Sequence, residues 1–413
     1  MSSYFKFIII RVFFLGFASG LPIAMTASTL QAYLYDNGVT LANIGLFSLA
    51  SIPYSLKFIW APLFDEIKIP ILHNLLGRRK SWIILFNVLL ILSFYLTGSI
   101  NAQENLFFLA SIVCLTSFLS ASQDIVIDAF RIEMLDEADQ GIGVAASTLG
   151  YRIGMLCSGA GALYVSHYYG WHAAYLSVIF MMFIGLIAAI SCKESLDRSS
   201  NSQSLSLDSI KNSFIKPFLE FSNRDSWWNI LLFVGLFKMS DAFAGVMTNS
   251  FLMDIGFNKK EIADIVKIYG IIATLIGSII AGSMLKTLPY YKALLIGGIL
   301  QMVSNLVFVL QAYQGHDVMF LAINISIENL ASGISSTVLL AYISNICNRE
   351  FTATQYALLT STAGIARSTF SSSAGKVAEL CGWSNFFIIS SILSLPSIYF
   401  LNLIFKKKDK NAN

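Results

Sequence analysis

The chain has 413 residues, 56% of them hydrophobic and only 12% charged, with a net charge of +3. Soluble domains carry about 25% charged residues, so the composition excludes a soluble enzyme and assigns an integral membrane protein surrounded by lipid. So small a charge excludes a nucleic-acid binder. Five scattered cysteines (Cys114, Cys157, Cys192, Cys347, Cys381) with no C-x-x-C spacing, and only four histidines, exclude a disulfide scaffold and a structural zinc site.

A helix needs about 20 apolar residues to cross a hydrocarbon core of about 30 Å. Twelve such runs are predicted, at 8–35, 41–64, 81–101, 105–130, 142–166, 171–192, 226–251, 259–283, 291–313, 317–345, 354–379 and 383–405. The first continues past Ala24 without a cleavage signal and reads as a retained span, not a signal peptide. Gly16, Gly20 and Pro22 predict a bend within it, and Pro53 predicts one in the second. Lys and Arg gather on one side of the runs, from Lys68, Arg78, Arg79 and Lys80 through the segment Lys193–Arg224 to Lys406, Lys407 and Lys408. The opposite side holds Lys259 and Lys260, with Lys376 near a span end. The orientation rule then puts both termini in the cytoplasm, as an even number of crossings requires.

One long polar connection interrupts the pattern, Ser-rich at first and amphipathic from Ile210 to Phe221, a stretch suited to the membrane surface. It divides the chain into an N-terminal six-helix bundle (1–192), a cytoplasmic linker (193–225) and a C-terminal six-helix bundle (226–413). Six spans, a linker and six more is the plan of an all-α two-half transporter, each half hiding inverted three-helix repeats.

The ionisable residues inside the runs carry the functional signal. Asp124 and Asp128, in Ser120-Ala121-Ser122-Gln123-Asp124-Ile125-Val126-Ile127-Asp128-Ala129, stand four apart and share a helix face. An uncompensated acid at bilayer depth costs about 2.5–3.5 kcal/mol on insertion scales, so each needs a partner, a proton or a wet cavity. For Asp128 the water interface is the alternative, because Arg131 and Glu133 follow it. Lys57, Arg152, Lys267 and Arg367 recur every third span, and Lys238, Asp241 and Glu328 complete the set. Lys238 and Asp241, three apart, are placed to neutralise each other. Each cation has snorkelling to the interface as its bland reading. Arg152 and Arg367, set among small residues, have in addition that of bonding backbone carbonyls between close helices.

Burial favours the neutral form of a carboxylic acid and a neighbouring cation the charged form. Asp124 is therefore the first candidate proton carrier, with Asp128 second and Asp241 and Glu328 behind them. Lys57, Arg152, Lys238 and Arg367 are candidates to pair with carboxylates of a solute. Gln31, Gln123, Asn249, Asn324 and Asn329 are candidates to bond its hydroxyl and amide groups, although each equally suits an interhelical bond. No H-E-x-x-H, no G-x-S-x-G with triad partners and no paired metal ligands occur, so neither an enzyme nor a metal is expected. No cofactor is expected beyond protons as the coupling ion.

After the second run come Ala61-Pro62-Leu63-Phe64-Asp65, a loop from Glu66 to Leu76, and Gly77-Arg78-Arg79-Lys80. This resembles the major-facilitator loop signature, in which an aspartate at a helix end and a Gly-Arg-Arg turn fasten the two halves in one conformational state. The resemblance implies a latch of Asp65, Gly77, Arg78 and Arg79, with a longer loop than usual; the second half's Gly282-Ser283-Met284-Leu285-Lys286 has no aspartate. Leu15-Gly16-Phe17-Ala18-Ser19-Gly20-Leu21-Pro22, Ser28-Thr29-Leu30-Gln31-Ala32, Lys57-Phe58-Ile59-Trp60-Ala61-Pro62, the Ser-Gln-Asp-Ile-x-x-Asp-Ala run at 122–129, Leu149-Gly150-Tyr151-Arg152-Ile153-Gly154-Met155 and Gln355-Tyr356-Ala357-Leu358-Leu359 go further. Through them the chain resembles the AmpG-type muropeptide permeases, with the acetyl-coenzyme A transporters as more distant relatives.

That resemblance implies a major-facilitator fold of twelve transmembrane helices, with the first, fourth, seventh and tenth facing a central cavity. It also implies import of anhydromuropeptides, anionic sugar-peptides from the cell wall, from periplasm to cytoplasm with protons, by a monomer in the inner membrane. Two alternatives stay open. A carrier of acetyl-coenzyme A or another anionic metabolite would suit a more cationic cavity than five cations against four acids, and a receptor or scaffold without transport would use the same fold.

Overall fold

The computed structural model describes residues 3–39, 43, 47, 50, 52–70, 72–100, 102, 105–192, 207–371 and 373–412, and every regular element among them is helical. In chain order the helices are α1 (Ser3–Thr26), α2 (Ser28–Asp36), α3 (Ile52–Leu56), α4 (Ala61–Glu66), α5 (Leu72–Leu76), α6 (Arg78–Ser99), α7 (Leu106–Met134), α8 (Gln140–Leu156) and α9 (Ala162–Ser191). They continue with α10 (Leu207–Ser222), α11 (Trp227–Phe237), α12 (Met239–Asp254), α13 (Lys259–Ile262), α14 (Gly270–Met284), α15 (Tyr290–Gln314), α16 (Val318–Ile346), α17 (Thr352–Ser371), α18 (Ala374–Ile392) and α19 (Leu395–Ala412). The Ser-rich part of the expected linker, 193–206, lies outside the described residues, and α10 covers the amphipathic stretch after it.

Nine stretches among the described residues are long and apolar enough to cross a membrane. The difference from the twelve predicted runs has local causes. The stretch Glu137–Ser191 is counted as one although Gly170 breaks it, at φ 82° and ψ 167°. Much of the first half of the second predicted run lies outside the described residues, and the rest comprises α3, a turn of tighter helix at Lys57–Ile59 and α4. The helix that opens the eleventh, α17, is too rich in Ser and Thr to qualify.

The chain divides into two compact units. The first comprises Met1–Asp136, Ala146–Phe218 and Cys347–Leu358; its core runs through Leu15, Leu21, Phe86, Phe94, Val126 and Tyr175. The second comprises Glu137–Ala145, Leu219–Ile346 and Leu359–Asn413. An aromatic core lies within it, where Phe243 stacks on Phe386 and Phe308 on Phe387, with centroids 5.2 and 4.9 Å apart. The assignment follows contact and not chain order: the start of α8 goes with the second unit and the start of α17 with the first.

Each unit carries the same clasp. In the first, Trp171 Nε1 donates to Asp36 Oδ2 at 3.0 Å, tying α9 to the end of α2. In the second, Trp383 Nε1 donates to Asp254 Oδ2 at 2.6 Å, tying α18 to the end of α12. Both tryptophans follow a glycine in the left-handed region, Gly170 at φ 82° and Gly382 at φ 73°, where a side chain would be strained. The two halves of the sequence thus repeat a Gly-Trp corner and a distant Asp.

Helix α1 continues through Gly16, Gly20 and Pro22, where the sequence predicts a bend, and it ends before a break at Ala27. The glycines serve packing. A Cβ on Gly16 or Gly20 would collide with the carbonyl oxygen of Ser147 or Tyr151, and one on Gly150 or Gly154 with that of Phe13 or Phe17. Two small-x-x-x-small stripes face each other, so α1 and α8 meet backbone to backbone, as membrane helices without a hydrophobic driving force do. Gly150→Ala forces a methyl into that contact and is expected to cost about 1–3 kcal/mol, measurable as a lower unfolding temperature in detergent. Gly364→Ala, where nothing lies within 4 Å of the added carbon, is the matched control and should leave it unchanged.

Candidate transport site

Asp124 sits on α7 and is only 9% exposed. Ser19 Oγ on α1 donates to Asp124 Oδ1, and the ammonium of Lys57 lies within electrostatic reach of the same carboxylate. Two neighbouring serines of the α7 motif are gripped by aromatic residues from the second predicted run. Tyr54 Oη donates to Ser120 Oγ at 2.7 Å, and Trp60 Nε1 donates to Ser122 Oγ at 3.1 Å. Tyr151 on α8 joins the group, since its phenol feels Asp124, and Arg152 is its neighbour in the chain. The first unit therefore brings together Lys57 and Asp124, two of the residues predicted from sequence, with Ser19, Tyr54 and Tyr151, which sequence reasoning did not single out.

Asp128 follows a different course from its neighbour. Its Oδ1 is 3.4 Å from Arg131 Nη2 on the same helix, and its side chain keeps 24% exposure. Arg131 is itself buried, with its guanidinium 5.6 Å from the Tyr356 ring centroid. Arg131, which in the sequence marks the approach to the water interface, is thus the ionic partner of Asp128.

In the second unit, the predicted Lys238–Asp241 pair is present. The helix of the seventh predicted run breaks at Lys238, between α11 and α12, and Asp241 stands in the first turn of α12, where the helix dipole favours an anion. Lys238 Nζ lies 2.6 Å from Asp241 Oδ2. Ser332 on α16 donates to the same oxygen at 3.0 Å, and Lys238 donates to Ser335 at 3.1 Å. Glu328, also on α16, is in electrostatic contact with both Asp241 and Lys238. Its carboxylate accepts from Asn329 Nδ2, and Asn329 Oδ1 accepts from Thr274 at 2.8 Å.

The other candidates lie elsewhere. Gln31, Asn249 and Arg367 are exposed on α2, α12 and α17. Gln123 and Asn324 are fully buried, and neither amide has a bonded partner among the described residues. The side chain of Lys267 lies outside the described residues.

Among the described residues the latch forms the most enclosed ionic cluster. Arg79 is fully buried: Nη2 reaches Asp65 Oδ1 at 2.7 Å and Glu133 Oε1 at 2.5 Å, Nε donates to Glu133 at 3.1 Å, and Nη1 donates to the Phe64 carbonyl at 2.9 Å. Arg78 Nη1 donates to the Asp65 carbonyl at 2.6 Å. Asp65 then turns its carboxylate to the start of α17, accepting from Ala353 N at 3.1 Å, Thr354 N at 2.8 Å and Thr354 Oγ1 at 2.6 Å. It thereby caps, from far away in the chain, a helix N-terminus whose first N–H groups have no partner within the helix. Gly77 makes the turn possible, since it enters α6 at φ 97°. The loop 66–76 is long, yet it folds through α5 and brings the acid and the arginines together. Glu133, Ala353 and Thr354 are participants that the sequence reading did not name. Lys80 has a separate task, donating to the carbonyls of Cys192 at 2.8 Å and Ile190 at 3.2 Å at the end of α9, where a cation is favoured.

An acid thus stands near cations in each unit, and an aspartate-arginine cluster caps a helix distant in sequence. The Major Facilitator Superfamily profile matches residues 12–371. The chain is 38% identical over 395 residues to AmpG 4 of Rickettsia conorii, covering 95% of both chains. It is 34% identical over 389 residues to the anhydromuropeptide permease of Escherichia coli, covering 94% of this chain and 77% of that one. This chain is an AmpG-type permease of the major facilitator superfamily. Among solved structures it resembles FucP, with a TM-score of 0.69 at 13% identity over 96% of this chain and 97% of that one. The proton:xylose symporter XylE gives a TM-score of 0.66, also at 13% identity, over 97% and 95% of the two chains. These two likenesses establish the fold, and the more similar AmpG relatives establish the family. The AmpG-type permease is a membrane transporter of a small molecule and not an enzyme.

Proposed function

We propose that the protein imports anhydromuropeptides from periplasm to cytoplasm by alternating access, driven by protons. The carrying observation is the buried carboxylate of Asp124, held by Ser19 and faced by Lys57, in a region that also holds Arg152. An acid that alternates between charged and neutral couples proton entry to the conformational change, because only the neutral form crosses a closed state cheaply. The neighbouring cations meet the carboxylates of the sugar-peptide. The membrane potential adds about 2.3 kcal/mol per charge per 100 mV in the inward direction. Asp128, Asp241 and Glu328 serve as further protonatable positions, and Lys57, Arg152, Lys238, Arg367, Gln31 and Gln123 as the solute-binding set. The reading places twelve crossings in the inner membrane with both termini cytoplasmic, bundles at 1–192 and 226–413 around the linker 193–225, and a monomer as the working unit. Similarity to the Escherichia coli permease supports the substrate class.

The test is counterflow with purified protein in vesicles. Anhydromuropeptide is expected to exchange at least about tenfold faster than acetyl-coenzyme A or a peptide-free disaccharide, and net uptake should collapse when an uncoupler removes the proton gradient. Faster exchange of acetyl-coenzyme A would overturn the substrate assignment, and uptake indifferent to the uncoupler would overturn the coupling.

A further inference from the structure

We propose that Tyr54, with Thr26 and Ser120, forms a hydroxyl relay that carries protons to Asp124. The inference rests on the reading of Asp124 as the coupling acid and adds the route by which it is loaded.

The Tyr54 phenol stands between two other hydroxyls. It donates to Ser120 Oγ at 2.7 Å and shares a hydrogen bond with the Thr26 side chain. Ser120 lies one turn before Asp124 on α7, so the two side chains share a face. Thr26 Oγ1 is otherwise bonded to the Pro22 and Ile23 carbonyls at 3.1 and 3.3 Å, at the last turn of α1. Positions on both helices set the direction of the relay. Thr26 lies seven residues beyond Ser19, the residue that holds Asp124, which is about 10 Å along α1, and Ser120 lies toward the Leu106 end of α7. That end carries few lysines and arginines, so the relay runs from the periplasmic side inward. Thr26 and Tyr54 are half-buried, while Ser120 is buried. The outer end is thus the more accessible of the two. The charged and titratable groups around the inner end are Lys57, Asp128, Tyr151 and Arg152.

The transfer balances at each atom. A proton from water arrives at Thr26 Oγ1, whose own proton moves to Tyr54 Oη. Tyr54 passes its proton to Ser120 Oγ, along the bond it already donates. Ser120 passes its proton through one bridging water to Asp124. Each hydroxyl gains one proton and loses one, and the net change is that a carboxylate becomes a carboxylic acid. Loss of any hydroxyl leaves the destination intact but interrupts the path.

The experiment needs no transported solute, so its outcome is separate from that of the substrate assignment. Purified protein is taken through a rapid drop in pH and followed by infrared difference spectroscopy at the carbonyl stretch of protonated carboxylic acids. The band that disappears in Asp124→Asn belongs to Asp124. Tyr54→Phe is expected to slow the appearance of that band at least about tenfold and to leave its final amplitude unchanged. Ser120→Ala removes the acceptor without disturbing the aromatic packing and should slow it equally, which covers failure of Tyr54→Phe to fold. Unchanged rates in both variants would overturn the relay. So would amplitudes that fall with the rates, since Tyr54 would then act on Asp124's affinity for the proton, and so would the absence of any Asp124-dependent band in the unmodified protein.

Discussion

Asp124→Asn is expected to abolish proton-driven accumulation, by about a hundredfold or more, which corresponds to at least about 2.7 kcal/mol, while solute counterflow persists at near the original rate. The reason lies in what the amide reproduces. Asparagine has the shape of the neutral acid and still accepts from Ser19 Oγ, so the solute-loaded carrier keeps a conformation that can exchange. It cannot release a proton, however, and the gradient then has nothing to act on. Asp128→Asn should do much less, because Asp128 is partly exposed and already has Arg131 within 3.4 Å. Measuring uptake and counterflow in the same vesicles separates coupling from binding: a parallel fall in both would make Asp124 a structural or binding residue instead.

The second large effect is expected at Arg79→Ala. Its guanidinium is the shared partner of two carboxylates, Asp65 and Glu133, and its side chain is 0% exposed. Removing it leaves the buried Asp65 carboxylate without this cation, and breaking a buried pair costs about 3–5 kcal/mol. Asp65 would also be drawn from the first turn of α17, where it accepts from Ala353 and Thr354. Arg78→Ala supplies the comparison, since Arg78 is 27% exposed and 3.5 Å from Glu133; an exposed pair of this kind contributes about 0–1 kcal/mol. Thermal unfolding in detergent should therefore rank Arg79→Ala well below Arg78→Ala. Equal unfolding temperatures would mean that burial of Arg79 carries no stability.

Much of the candidate site was legible in the sequence because charge inside an apolar run is conspicuous wherever it falls. Asp124, Lys57, Lys238, Asp241 and Glu328 could be found that way, and Lys238 with Asp241 could even be paired, since a spacing of three along one helix fixes their neighbourhood. The partners at Ser19, Tyr54 and Tyr151 could not, because uncharged side chains in membrane helices carry no such signal. The burial of Arg131 was not legible either, because the place of a cation between runs does not tell a buried side chain from an exposed one.

Sequence alone determined the membrane class, the positions of the acids and cations within apolar runs, and the residues of the Asp65–Arg79 signature. All of these follow from hydropathy and charge, which sum along the chain without reference to how it folds. Only the tertiary structure decided that Asp65 caps a helix 289 residues away, that Ser19 reaches Asp124 across 105 residues, and that Gly16 and Gly20 permit a close helix crossing. Those outcomes depend on which faces meet at contact distance, and that is set by the joint packing of all the helices.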